Sequence, residues 1–169
     1  MLSRRELGLG IAGFSIAACT GTYTNADTVA TTKDMDMSDT DWANLTATDW
    51  QERLTEMEYY VLRDEGTERA GTSPLNAEKR EGTFVCAGCA LPLFTSEQKY
   101  ESGTGWPSFY DVIEGAVGTK VDRKLFMART EYHCSRCGGH QGHVFKDGPQ
   151  PTGLRYCNNG VALDFVPKS

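Results

Sequence analysis

Four things are missing from this 169-residue chain. No run of Lys and Arg occurs beyond the first few residues, and the formal net charge is −6. Phosphate backbones are held by clustered cations, so nucleic acid is not an expected partner. No apolar run reaches the ~20 residues of a membrane-spanning helix, since the stretch from Leu7 to Ala18 is too short. There is also no internal repeat beyond a duplicated cysteine pair, and no alternation of strand and helix patterns of the kind that builds a parallel βαβ sheet.

What is present begins with an address. Residues 1–18 combine a basic start (Arg4, Arg5) with a short apolar run ending in small residues, the pattern of an export signal. "SRREL" looks like a twin-arginine signal, and "IAAC" looks like a bacterial lipoprotein box that would make Cys19 the lipidated first residue. The alternative is an ordinary cleaved signal with Cys19 removed or a bystander. The favoured reading places the mature protein on the bacterial cell envelope, at its periplasmic face, touching the membrane only through a lipid. Residues 19–45 are rich in Thr and Asp without an apolar period and read as a flexible tether.

Residues 46–169 read as one domain. "TDWQ" (48–51) and "TEME" (55–58) match the capping-box pattern and predict short helices over 48–53 and 55–63, with Trp50, Leu54, Tyr59 and Leu62 turned inward. From Gly82 the pattern becomes short, β-rich and broken by Gly and Pro: "GTFVC", "KLFMARTEYHC", "GHVFKD", "LRYCNN" and "VALDFVP". That predicts antiparallel sheets.

Six cysteines are present. Four form two Cys-x-x-Cys pairs, Cys86–Cys89 and Cys134–Cys137, with 44 residues between them. Two such knuckles brought together offer four thiolates in a tetrahedron, the closed arrangement of structural zinc. Two disulfides are the competing reading in an exported protein. A Cys-x-x-Cys disulfide is more often a redox device than a staple, and no thioredoxin-like context accompanies either pair.

Cys157 is left over, in "TGLRYCNNG". Strand alternation would turn Arg155, Cys157 and Asn159 to one side, and likewise His143, Phe145 and Asp147. A hairpin through "GPQPTG" pairing Asp147 with Arg155, Phe145 with Cys157 and His143 with Asn159 would gather all six on one face, within reach of His140. Arg155 and a protonated histidine would then favour the thiolate. In "YESGTGWPSFY" (100–110), glycines make a loop that presents Trp106 as an apolar wall.

Together these motifs resemble the methionine sulfoxide reductase B family, in its order and from about Thr46 to Pro167: "EGTFVCAGC", "YESGTGWPSF", "RTEYHCSRCGGHQGHVFKDGPQPTGLRYCNN" and "ALDFVP". The resemblance implies a mainly β fold of two antiparallel β-sheets, with short peripheral N-terminal helices and a four-cysteine zinc knuckle. It implies a peptide-methionine (R)-S-oxide reductase acting on oxidised proteins and peptides. Cys157 would be the nucleophile. Trp106, with Phe145 beside it, would take the substrate's methyl group. His140 and His143 would hold the oxygen side and move protons, with Asp147, Arg155 and Asn159 around them. One structural Zn2+ would sit on Cys86, Cys89, Cys134 and Cys137. The loop position that carries a resolving cysteine in some members is Thr104 here, and the only other free cysteine is Cys19 on the tether, a possible resolving thiol if it is not lipidated. With Cys19 lipidated, an external thioredoxin-like thiol is the expected reductant of a monomeric enzyme. A non-catalytic zinc ribbon, a cysteine hydrolase and a dithiol oxidoreductase are the rival classes. The ribbon leaves Cys157, Arg155 and the histidines idle, the hydrolase would need an oxyanion hole and an acyl substrate, and bound zinc would exclude the dithiol oxidoreductase.

Overall fold

The computed structural model describes residues 40–123 and 128–169. The leader, Cys19 and most of the tether lie outside the described residues.

Two short helices open the domain, α1 (Ala47–Arg53) and α2 (Glu56–Leu62). Each starts in a reciprocal box. Thr46 caps Asp49 and Thr55 caps Glu58, with both side chains bonding back to backbone amides. The second box is the one expected. The first lies two residues earlier than the Thr48–Gln51 pairing, because Asp49 reaches the Thr46 amide at 2.7 Å. Trp50, Leu54, Val61 and Leu62 are buried, while Tyr59 is partly so. Packing starts upstream of Thr46. The Trp42 ring lies 5.9 Å from that of Trp50, and the Arg53 guanidinium lies 5.6 Å from the Trp42 ring. One apolar residue among Thr and Asp carries no period, so this anchor is not visible in the pattern.

Nine strands follow among the described residues: β1 (Gly82–Cys86), β2 (Pro92–Thr95), β3 (Lys99–Tyr100), β4 (Ser108–Phe109), β5 (Val117–Asp122), β6 (Arg129–Cys134), β7 (His140–Phe145), β8 (Arg155–Asn158) and β9 (Leu163–Pro167). They form two antiparallel sheets, β2-β1-β9 and β3-β4-β8-β7-β6-β5. The protein is therefore mainly β, as the strand pattern and the resemblance led us to expect. Aromatic rings from both sheets meet in the core: Phe84 of β1 and Phe94 of β2 against Phe109 of β4, the last two stacked at 4.0 Å, with Tyr132 of β6 edge-on to Phe94. Such rings dominate burial energetics because each removes a large apolar area from water.

The β7–β8 hairpin forms in a register two residues away from the one expected. His143 faces Cys157, Val144 faces Tyr156 and Phe145 faces Arg155. A shift of two keeps every side chain on its face. It brings His143, rather than Phe145, opposite the cysteine. Gly142 permits the close approach, since a Cβ there would lie 1.9 Å from the Cys157 carbonyl oxygen.

Candidate active site

Cys157 is half-buried near the end of β8, and Tyr156 before it points the other way, into the aromatic core. The cysteine lines a pocket of about 130 Å³ together with Trp106, His143, Phe145, Arg129 and Asn159, among others. Four of the residues singled out in the sequence thus join Cys157 there: Trp106, His143, Phe145 and Asn159.

The loop between β3 and β4 supplies Trp106. Gly105 adopts φ +87° in this loop, a conformation costly for side chains with a Cβ. Its carbonyl accepts from the Gly71 amide at 2.7 Å and from Asn76 Nδ2 at 3.0 Å, which ties the loop to the preceding segment. The Trp106 indole N–H donates to the Glu68 carbonyl at 3.1 Å, so the ring is held by its polar edge and offers its apolar body to the pocket. Ser108 pairs with Cys157 across β4–β8 and shares hydrogen bonds with Ser102, which in turn contacts Thr104.

Arg155, Asp147 and His140 are placed beside the pocket rather than in its wall. Arg155 makes a two-pronged ion pair with Asp147, at 2.9 and 2.8 Å, and lies over the Phe145 ring at 4.4 Å. His140 is buried, its Nδ1 3.0 Å from Glu131 Oε1 and its ring 5.5 Å from that of His143. Burial makes His140 less basic than usual, against the pull of Glu131. Asn159 follows the strand and turns inward. Its amide group bridges the Gln141 carbonyl and the Glu68 N–H, both at 3.0 Å.

The expected thiolate needs a correction. Burial pushes the Cys157 thiol above the ordinary range, and this outweighs the lowering by the Arg155 charge and a hydrogen bond from Thr104. Arg155 is also largely engaged by Asp147. The fold thus holds Cys157 toward the thiol rather than the thiolate.

Several site residues were not foreseen. Arg129, Asp122, Glu68, Gln141 and Asn158 all support the pocket; Arg129, Gln141 and Asn158 lie inside the quoted motifs without an assigned role, and Glu68 and Asp122 lie outside them. His143 Nε2 lies 2.8 Å from Asp122 Oδ2. Asn158 is fully buried and accepts from the Tyr132 hydroxyl at 2.6 Å. Glu68 receives the Gly160 and Val161 amides, and burial raises its carboxyl above the usual value. Only the pairing of strands brings these residues together.

The four knuckle cysteines are buried and free, and their sulfurs all lie within 4.8 Å of one another. Cys86 and Cys137 stand 3.7 Å apart, and Cys89 and Cys134 3.5 Å. A tetrahedron with metal–sulfur bonds of about 2.3 Å has edges of about 3.8 Å, so the cluster could hold a metal ion. Contacts with Cys137, Cys86 and Cys89 push Cys134 far below the ordinary thiol range, while contacts led by Cys134 push Cys86 well above it. Four thiolates could stand this close only with a cation among them. Gln141 Nε2 donates to Cys86 Sγ at 3.4 Å, and Arg63 and Arg136 bind the carbonyls of Cys137 and Cys89.

The SelR domain model matches residues 54–167, which contain the whole pocket and the knuckle. This chain belongs to the methionine sulfoxide reductase B (MsrB) family. Similar proteins include the peptide methionine sulfoxide reductase MsrB of Leptospira interrogans, 53% identical over 118 residues, covering 69% of this chain and 90% of that protein. The MsrB of Methanosarcina mazei is 54% identical over 119 residues, 70% and 85% of the two chains. The chloroplastic peptide methionine sulfoxide reductase B1 of Arabidopsis thaliana is 48% identical over 124 residues, 73% and 61%. As an MsrB, the chain joins a family of methionine sulfoxide reductases.

Proposed function

We propose that this protein reduces the R-epimer of methionine sulfoxide in peptides and proteins, with Cys157 as nucleophile. The carrying observation is the register that sets Cys157 opposite His143 in a pocket walled by Trp106 and Phe145. A sulfoxide has an apolar methyl, an electrophilic sulfur and a basic oxygen. The aromatic wall suits the methyl, the cysteine suits the sulfur, and the imidazole suits the oxygen.

In this reading His143 takes the Cys157 proton, the thiolate attacks the substrate sulfur, and the imidazolium returns the proton to the oxygen. Overall the oxygen passes to Cys157 Sγ. The substrate sulfur gains two electrons and leaves as methionine, and Cys157 becomes a sulfenic acid. Asn159 in the pocket wall, and buried His140 and Arg155 with Asp147 beside it, hold this arrangement. The knuckle would hold one zinc on Cys86, Cys89, Cys134 and Cys137. A closed four-thiolate site has no open position, so the ion would stabilise the fold and take no part in the reaction.

Thr104 cannot form a disulfide, and the knuckle cysteines are committed to metal. The sulfenic acid therefore waits for an outside thiol of thioredoxin type. The leader motifs support an envelope location with Cys19 lipidated and repair of exported proteins. Among the described residues no helix is long and apolar enough to cross a membrane.

The test is turnover of separated sulfoxide epimers with a chemical dithiol. Reduction of the R-epimer alone, lost in Cys157→Ser, is expected. Equal use of both epimers, or a fully active serine variant, would overturn the reading.

A further inference from the structure

Asp122 closes β5 and Arg129 opens β6, and the two are paired in register. Asp122 is buried, and its Oδ2 accepts from Arg129 Nη2 at 2.6 Å and lies 2.8 Å from His143 Nε2. One carboxylate oxygen therefore serves a guanidinium and an imidazole at once. Arg129 and His143 both line the pocket, whereas Asp122 stands behind them.

The chemistry of these groups fixes a proton. A guanidinium keeps its charge, and its partner Asp122 is a carboxylate with acceptors only. The hydrogen between Asp122 and His143 must then sit on Nε2. In the neutral ring this leaves Nδ1 as the only nitrogen able to receive a proton. Arg129 shares the same oxygen and so discourages Asp122 from taking the proton itself.

We propose that Asp122 is a positioning residue that holds His143 as its Nε2–H tautomer, leaving Nδ1 to exchange a proton with Cys157 and the substrate oxygen. Asp122 does not touch the reacting atoms. It acts by deciding which ring nitrogen is free and by stabilising the imidazolium as it forms. The other groups around the ring are suited to a supporting place. Glu131 faces His143 across β6–β7 but is bound by Lys120 at 3.3 Å, and His140 is less basic than usual. An ion pair that merely stapled the ends of β5 and β6 would need only Arg129. The bond to His143 goes beyond that need.

The inference rests on His143 as the proton carrier, so its test has a readout that needs no turnover. Nitrogen-15 NMR of labelled histidine, without substrate, distinguishes the protonated from the bare ring nitrogen. In the zinc-loaded wild-type protein His143 should show a protonated Nε2 and a bare Nδ1. Asp122→Asn keeps an oxygen acceptor and should keep that tautomer, whereas Asp122→Ala should lose the preference. With a sulfoxide peptide and dithiol, kcat should fall at least about tenfold in the alanine variant with KM within about twofold, and less in the asparagine variant, since positioned proton transfer contributes about 10²–10⁴-fold. A protonated Nδ1 in the wild type would overturn the proposal, as would an unchanged tautomer or an unchanged kcat in folded Asp122→Ala. If the alanine variant does not fold, the wild-type tautomer and the asparagine kinetics decide: a fall in kcat with the tautomer kept supports the proposal, and an unchanged kcat overturns it. Absence of wild-type turnover with a protonated Nε2 would sink the reductase reading and leave the tautomer assignment standing.

Discussion

Gly142→Ala should disable the protein through one methyl group. A Cβ at this position would lie 1.9 Å from the Cys157 carbonyl oxygen and 3.2 Å from the Asn158 Cα, whereas ordinary contact starts at 3.4 Å. The obstacle is backbone, so no side chain can rotate away. β7 and β8 must part by about 1.5 Å or tilt by an equivalent amount. Overpacking of this kind costs about 1–3 kcal/mol, before any weakening of the strand pairing. The functional loss should be larger than the loss of stability suggests, because the same pairing sets His143 against Cys157. A misplacement of about 1 Å between reacting groups can cost about 100-fold in rate. The assay is urea unfolding together with kcat on a sulfoxide peptide, and Gly88→Ala is the matched control. A Cβ at Gly88 meets nothing closer than 3.4 Å. Loss of at least tenfold in kcat for Gly142→Ala, with Gly88→Ala near wild type, is the expected pattern. Full activity and stability in Gly142→Ala would refute the claim that the β7–β8 approach sets the site.

Elemental analysis should find about one zinc per chain, and Cys137→Ser should lower both metal content and stability, since metal binding and folding are coupled; a metal-free protein with two disulfides would contradict the knuckle. Alkylation of Cys157 followed against pH should show its inflection above the ordinary thiol value of about 8.5, because burial outweighs the Arg155 charge. Arg155→Ala should move that inflection higher still, and a shift downward would reverse the assigned role of the arginine. Burial makes the folded protein bind the His140 proton less readily than the unfolded chain does. This contribution to stability is full above the unfolded histidine value of about 6.5 and is lost as pH falls from there toward the folded value. His140→Asn should flatten the acid side of a urea-midpoint profile, and an unchanged slope would contradict the burial argument.

The sequence exposes much of this architecture because its signals are local. The Thr55–Glu58 box, the strand-like run at 82–86 and the paired knuckles each depend on residues a few positions apart. The face shared by Cys157 and Arg155 follows from alternation alone. The register of β7–β8 does not, because two hairpins offset by two residues satisfy the same alternation. Steric room at Gly142 favours the one found. Strands β3 and β4 are two residues each and carry no period. The supporting residues are legible only after the strands are paired. Asp122 precedes Arg129 by seven positions in the chain and sits behind a histidine two strands away from β5. The protonation of Cys157 departs from expectation for a related reason. Cationic neighbours can be read from sequence, but burial needs the fold.

The central claim is that Cys157 takes the oxygen from a methionine sulfoxide. The most direct measurement is a single turnover of reduced wild-type protein with an R-sulfoxide peptide in the absence of any added thiol, followed by a sulfenic-acid-trapping dione and mass spectrometry. One equivalent of methionine should form, and the dione should label Cys157, in both the wild type and Cys19→Ser. Formation of methionine with Cys157 unmodified, or with the label on another residue, would contradict it.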